Sequence, residues 1–189
     1  MKITKIETIY IKEKAIEKRT DSSQDALLIK ISTDSGIIGW GEVDSCPVVA
    51  EAIINAPYSH KLVNGLKNIL IGENPLEIEG LWNKMYQNTL YYGRNGAVIQ
   101  TMAGIDIALW DIKGKFLNLP VYELMGGCFM DKIRVYSSNM FQFSIEDTLK
   151  RVQIAIDSGH TAVKFSELST LIISCASFLL IKTILLGQN

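Results

Sequence analysis

The sequence predicts an α+β domain over residues 1–127, a βαβ unit over 128–166 and a separate apolar tail over 167–189. Three observations carry that division. Short β-branched segments separated by turn residues fill the stretch from Ile3 to Glu42, the pattern of an antiparallel meander. From Gly96 to Leu117 apolar residues recur at steps of three and four, which is the period of one buried helix stripe. Beyond Asp131 the rhythm changes to strand, helix, strand.

The first strand is read from Ile3 to Ile11, although its alternation is imperfect: Ile3, Lys5 and Glu7 interleave with Thr4, Ile6 and Thr8. A polar loop over Lys14 to Asp25 leads to a second strand, Ala26 to Ile31, and Asp34-Ser35-Gly36 supplies the turn into a third, Ile37 to Glu42. A lone small sheet is marginal in water, so one face of this three-stranded meander needs a cover. After an irregular stretch from Val43 to Pro57, a helix over Lys61 to Ile71 provides Leu62, Leu66, Ile69 and Leu70. A second begins at Asn74-Pro75 and carries Leu76, Ile78, Leu81, Trp82, Met85 and Tyr86. The third is the spine, with Val98, Met102, Ile105, Leu109, Ile112 and Phe116 in one stripe. Asn118-Leu119-Pro120 ends it, and Gly126-Gly127 gives the positive-φ freedom for a chain reversal. A helical bundle on one face of a meander is an α+β arrangement. In the second unit, Ile133 to Ser138 reads as a strand, Ile145 to Ser158 as an amphipathic helix through Leu149, Val152 and Ile156, and Thr161 to Phe165 as a strand after Gly159. Two such strands should run parallel.

Composition removes several classes of function. The 189 residues carry 19 basic and 20 acidic side chains with no long run of either sign, so there is no electrostatic footprint for nucleic acid. Three cysteines, Cys46, Cys128 and Cys175, are odd in number and far apart, which argues against a disulfide framework or zinc site and suits a reducing cytoplasm. The amino terminus alternates polar and apolar residues and lacks the apolar core of a signal peptide. The tail from Leu168 to Leu186 is strongly apolar but interrupted by Lys182, and falls short of the roughly 20 apolar residues of a membrane span. Three readings of it stay open: a premature or frameshifted end, a divergent buried helix, or a weak membrane anchor.

Several linked motifs carry a resemblance. Gly39-Trp40-Gly41-Glu42, then AGIDIALWDIKGK from Ala103 to Lys115, then LPVYELMGG and Arg134-Val135-Tyr136-Ser137-Ser138 resemble, in order and spacing, the amino-terminal half of the mandelate racemase and muconate-lactonizing branch of the enolase superfamily. The resemblance spans roughly Met1 to Phe165. It implies a capping domain followed by the opening of a (β/α) TIM-type barrel that is left incomplete, since two strands cannot close a ring.

The chemistry implied is abstraction of a proton α to a carboxylate, with magnesium stabilising the enediolate through hard oxygen ligands. Lys164 falls where family members carry the first lysine of a Lys-x-Lys pattern at the end of the second barrel strand. Positions one and three of that pattern share a side of the strand, so one lysine lowers the pKa of the other. Here position three is Ser166, which removes the racemase-type base and favours an acid-sugar dehydratase. Family metal ligands come from later barrel strands, and after Lys164 the chain has one acidic residue, Glu167. No magnesium is therefore expected on this chain, whose relatives use it. The resemblance also assigns substrate closure to two capping loops, Lys14 to Asp25 and Val43 to Pro57, in which Arg19 and Thr20 would hold a carboxylate or hydroxyl while Cys46 and Pro47 shape the pocket.

Other apparent motifs dissolve on inspection. Asp106 and Asp111 lie about 140° apart around a helix and do not converge, whereas Asp111 and Lys115 suit an i,i+4 ion pair. Gly39-Trp40-Gly41 lacks the third glycine and the helix of a dinucleotide fingerprint, and Gly114-Lys115 lacks the upstream glycine of a phosphate loop. His60 and His160 have no partner at ligand spacing. The expectation is a truncated relative of acid-sugar dehydratases, inactive alone, whose small-molecule partner is an acid sugar or other carboxylate. The alternative is a non-catalytic binding or oligomerisation module, an orphan capping domain that forms homo-oligomers.

Overall fold

The computed structural model describes residues 1–15, 23–139 and 144–165. These fall into two compact units, one built from 1–15 and 24–129 and the other from 130–139 and 144–165. In the first, β1 (Ile3–Lys12), β2 (Asp25–Thr33) and β3 (Ile38–Val43) form an antiparallel sheet in the order β1-β2-β3. The imperfect alternation of β1 has a structural cause. Ile3 pairs with Thr33 and Lys5 with Ser32, so Thr4 is an extra residue, and this bulge turns both Ile3 and Ile6 into the core. From Ile6 onward the register is regular, and Ile6, Ile31 and Gly39 lie side by side on one face. The other face is a solvated ladder in which Glu7 bonds Lys5 and Lys30, and the Lys30 ammonium lies 5.8 Å from the centre of the Trp40 ring.

Helices cover the inner face, but not all where the sequence puts them. The stretch expected to be irregular contains α1 (Pro47–Asn55), which buries Pro47, Ala50 and Ile54. Proline at the first helical position is a start signal, yet Val48, Val49, Ile53 and Ile54 are stiff, weak helix formers that obscure it. Burial of one face decides the outcome. The helix expected over 61–71 shrinks to α2 (Leu66–Leu70). Ahead of it the chain turns, with Ser59 and His60 N–H groups both donating to the Val63 carbonyl, and Asn64-Gly65 interrupts propagation. α3 (Ile78–Asn88) starts after Asn74-Pro75 rather than at it. Asn74 accepts the Leu76 N–H with its side chain and the Glu77 N–H with its carbonyl, so the segment closes as a turn first.

The spine is α4 (Ala97–Leu117), ended by Asn118 in the left-handed region at φ 54°, with the Leu119 N–H donating to Gly114. Val98, Met102, Ile105, Leu109 and Ile112 are buried as the stripe requires. Phe116 is not: it is 51% exposed, because Lys115 already lies beside Ile38, the first residue of β3, and the last helical turn runs past the sheet. A short α5 (Val121–Leu124) follows, and Gly126 and Gly127 take the expected positive φ.

α4 approaches β3 where neither carries bulk. A Cβ added at Gly41 would meet the Gly104 carbonyl oxygen, and one at Gly39 the Ala108 carbonyl oxygen. Two strand residues advance about 6.6 Å and four helical residues about 6 Å, so the two contacts stay in step. On another side of α4, Asp106 faces α3. Burial, and then the charge of Glu79, push its carboxyl above the ordinary value, against a hydrogen bond from Trp110.

In the second unit β4 (Ser137–Asn139) and β5 (Val163–Phe165) pair in parallel, with α6 (Ile145–Asp157) between them in sequence. The strand expected from Ile133 forms a ladder only from Ser137, because its partner starts at Val163, after the Gly159 reversal. Ser144 caps α6 by accepting the Asp147 N–H at 3.0 Å. Val152 and Ala155 form its buried side, whereas Leu149 and Ile156 are half exposed. The apolar tail lies outside the described residues, and among those that are described no helix is long and apolar enough to cross a membrane.

A tightly packed glycine and an open one should respond oppositely to an added methyl. Gly41→Ala should destabilise the chain by about 3 kcal/mol or more, the upper end for an overpacked core. Gly80→Ala, with nothing near its added methyl, should stabilise α3 by about 0.5 kcal/mol. Urea midpoints of the two variants give the comparison. For Asp106 the folded chain holds the proton more tightly than the unfolded one. Its stabilising effect is thus present below the ordinary carboxylate pKa and is lost as pH rises through the raised folded value. Asp106→Asn should therefore raise the melting temperature near neutral pH, with the gain vanishing in acid.

Candidate functional site

Lys164 lies in the middle of β5, exposed, and in register with Ser138 of β4. Parallel strands bring their carboxyl ends to one edge, the edge at which barrel enzymes build their sites. Asn139 closes β4 there, its amide folded back onto the Ser137 carbonyl and hydroxyl at 3.3 and 3.1 Å. The opposite end of the unit carries a shallow cleft of about 260 Å³ lined by Arg134, Val135 and 158–161. Arg134 spans it, donating to the Thr161 hydroxyl at 2.8 Å and its carbonyl at 3.0 Å. That cleft is at the starts of the strands and does not include Lys164. Ser166, the third position of the lysine pattern, lies outside the described residues.

The capping residues divide. Arg19 and Thr20 lie outside the described residues. Cys46 and Pro47 are described, and they are not loop residues: Cys46 is the exposed residue preceding α1 and Pro47 is its first, buried position. A buried proline at a helix start packs against the core rather than shaping a pocket wall. A polar pair, Tyr10 and Asp25, lies at the end of the meander. Tyr10 donates its hydroxyl to Asp25 at 3.0 Å, and this bond, with lesser contributions from burial and from the charges of Asp25 and Cys46, holds the phenol above its ordinary pKa. Next along the same face, Thr8 donates to Glu51 of α1 at 2.6 Å.

Tyr10 and Asp25 were not singled out by sequence pattern. Their signal is positional: they flank the first capping loop on facing strands, and pairing of Lys12 with Asp25 and Tyr10 with Leu27 puts them diagonally on one face. Through Thr8 and Glu51 the same face ties the stem of the first loop to α1. The Tyr10–Asp25 pair offers a hydroxyl and a carboxylate to a polar ligand.

The remaining candidates serve structure. Asp111 bonds Lys115 at 2.7 Å as the i,i+4 spacing implies, and also accepts the Trp40 N–H, while Asp106 sits against Trp110 on another side of α4. Glu42 is exposed on the outer face of β3. His60 accepts the Leu62 N–H and meets Tyr91 edge-on at 5.4 Å, while the Nδ1 of His160 is buried and has no hydrogen-bond partner among the described residues. Among the described residues no three His, Cys, Asp or Glu side chains gather closely enough to hold a metal ion, so these residues do not fit a magnesium site.

Comparison with known proteins gives a consistent result. The family model for the mandelate racemase / muconate lactonizing enzyme N-terminal domain matches residues 6–126. A D-galactonate dehydratase from Cronobacter sakazakii is 46% identical over 112 residues, which are 59% of this chain and 27% of that enzyme. The solved 3,6-anhydro-D-galactonate cycloisomerase from Zobellia galactanivorans is 32% identical with a TM-score of 0.73, over 87% of this chain and 42% of that one. A mandelate racemase/muconate lactonizing protein from Paracoccus denitrificans, solved in complex with magnesium, is 24% identical with a TM-score of 0.69, over 87% and 41%, and speaks for the fold. The chain thus spans between about a quarter and two fifths of the length of these relatives. With an antiparallel meander capped by helices, a parallel βαβ unit after it and a family match over most of the first unit, the chain belongs to the mandelate racemase and muconate lactonizing enzyme family, of which residues 6–126 are the N-terminal domain.

Proposed function

We propose that this chain supplies the capping half, and the first β/α step of the barrel half, of a magnesium-dependent acid-sugar dehydratase. The observation that carries the reading is the 46% identity over 112 residues to a D-galactonate dehydratase. Dehydration of an acid sugar removes the proton α to the carboxylate and expels the β-hydroxyl, leaving an enol that becomes a 2-keto acid. Magnesium, when bound in a full-length enzyme, would stabilise the enediolate. The described residues make no site for it.

What this chain's own residues do in the proposal is narrower. Lys164, at the strand end, places a positive charge beside the substrate carboxylate or takes the α proton. Arg19 and Thr20 hold substrate oxygens from the first loop. In the capping unit, Cys46 contributes an exposed thiol immediately before α1. The chain alone does not turn over substrate, because the groups that hold the metal are not among those described. A second reading, a non-catalytic binding or oligomerisation module, draws support from exposed Leu119, Tyr122, Met125 and Phe129 at the end of the cap.

A chimera separates the two readings. With residues 1–165 replacing the corresponding segment of the Cronobacter enzyme, D-galactonate dehydration should persist within about tenfold, since a misplaced cap costs ~100-fold. A folded chimera without 2-keto acid product would overturn the dehydratase reading. In an active chimera, Lys164→Ala should lower kcat by about 100-fold or more with little change in KM. The purified 189-residue chain with magnesium and D-galactonate should give no product.

A further inference from the structure

β3 is an edge of the three-stranded sheet, so alternate residues direct their N–H and C=O groups away from β2. Two of these outward groups are taken by side chains. Asp111 Oδ2 accepts the Trp40 N–H at 2.8 Å, and Lys115 Nζ donates to the Ile38 carbonyl at 2.8 Å. The two side chains also bond one another at 2.7 Å. In a parallel ladder, one residue of an incoming strand donates its N–H to the carbonyl of residue i and accepts, through its own carbonyl, the N–H of residue i+2. Ile38 and Trp40 stand in that relation. The Asp111 carboxylate occupies the role of the incoming carbonyl, and the Lys115 ammonium that of the incoming N–H.

The other edge is closed at its start by backbone. Ile3 of β1 donates to the Glu73 carbonyl at 2.9 Å and accepts the Gly72 N–H at 2.8 Å. Among the described residues no backbone segment pairs with the outer edge of β3, and Trp40, 41% exposed, would add apolar area to any strand that docked there. Every molecule in solution carries the same edge, so the nearest competitor for it is β3 of a second copy, which about a two-fold axis would pair antiparallel and would still need the same outward Ile38 carbonyl and Trp40 N–H.

We propose that the Asp111–Lys115 pair imitates one residue of a fourth strand and thereby closes the β3 edge to strand addition by a second copy of this chain. Sedimentation velocity over a wide range of concentration tests it. The double variant Asp111→Ala/Lys115→Ala should gain, relative to the wild-type chain, a species of twice the mass whose population rises with concentration, together with an intermolecular β-sheet infrared band. Asp111→Asn/Lys115→Gln should behave as wild type, because its amides still accept from Trp40 and donate to Ile38. Glu146→Ala/Lys150→Ala, which removes the exposed i,i+4 pair of α6, should also leave assembly unchanged. A folded alanine double variant that sediments as wild type at every concentration overturns the proposal, as does equal association of the α6 variant. Amide exchange of the wild-type chain answers independently of how any variant folds. The Trp40 N–H should exchange at least about tenfold more slowly than that of Glu42, the next outward-facing amide of β3, and equal rates would overturn the proposal.

Discussion

The first unit depends on one contact made without side chains, where Gly39 and Gly41 of β3 lie against Ala108 and Gly104 of α4. Ordinary helix-on-sheet packing interposes two layers of side chains and holds the backbones about 10 Å apart. Here the helix sinks onto the strand, and this depth fixes the rest of the packing. It lets the stripe from Val98 to Ile112 reach Leu27, Ile29 and Ile31 on the central strand. It leaves the buried faces of α1 and α3 to fill what remains. It also brings Asp111 and Lys115 within hydrogen-bond reach of the edge of β3, where they meet the Trp40 N–H and the Ile38 carbonyl.

That constraint was written in the sequence, but it is unreadable as a pattern. Glycines in a strand signal close approach of something, and nothing local says what. The meander, the spine helix and the parallel strand pair were legible because each is repeated many times over in its own period. α1 was not, because proline and β-branched residues suit several conformations and the burial of Ala50 and Ile54 depends on residues far away in sequence. The extra turn before α3 was hidden for a similar reason. Asn74-Pro75 is as good a turn as a helix start, and two hydrogen bonds to Asn74 decide between them.

The candidate site divides along the same line. Lys164 was expected at a strand end from motif order alone, and it lies in the middle of the three-residue β5, one residue from its end. The Tyr10–Asp25 pair was not seen, because it is assembled by register between β1 and β2, and a one-residue slip would send Tyr10 to the other face. The bulge at Thr4 is one of the features that settle that register. A local departure from ideal alternation thus bears on which residues face the mouth of the capping loops.

Asp111 and Lys115 show why a correct sequence reading can still miss the larger effect. As an exposed i,i+4 ion pair the two contribute about 0.3–0.5 kcal/mol. Each side chain also makes a charge-assisted hydrogen bond to a backbone group of β3, and such bonds contribute roughly 1.5–3 kcal/mol when shielded and less where water competes. Even after that discount, the two bonds to the strand outweigh the bond between the charges. The pair is better understood as a tether from helix to strand whose members happen to be oppositely charged. An acceptor beside a donor is what the geometry demands, since a strand edge presents an N–H and a carbonyl side by side, and an oppositely charged pair meets that demand. The carboxylate must answer the N–H and the ammonium the carbonyl. Exchanging the two residues would keep the ion pair while presenting an ammonium to an N–H and a carboxylate to a carbonyl, so the order Asp then Lys is set by the direction of β3 and not by the helix that carries them.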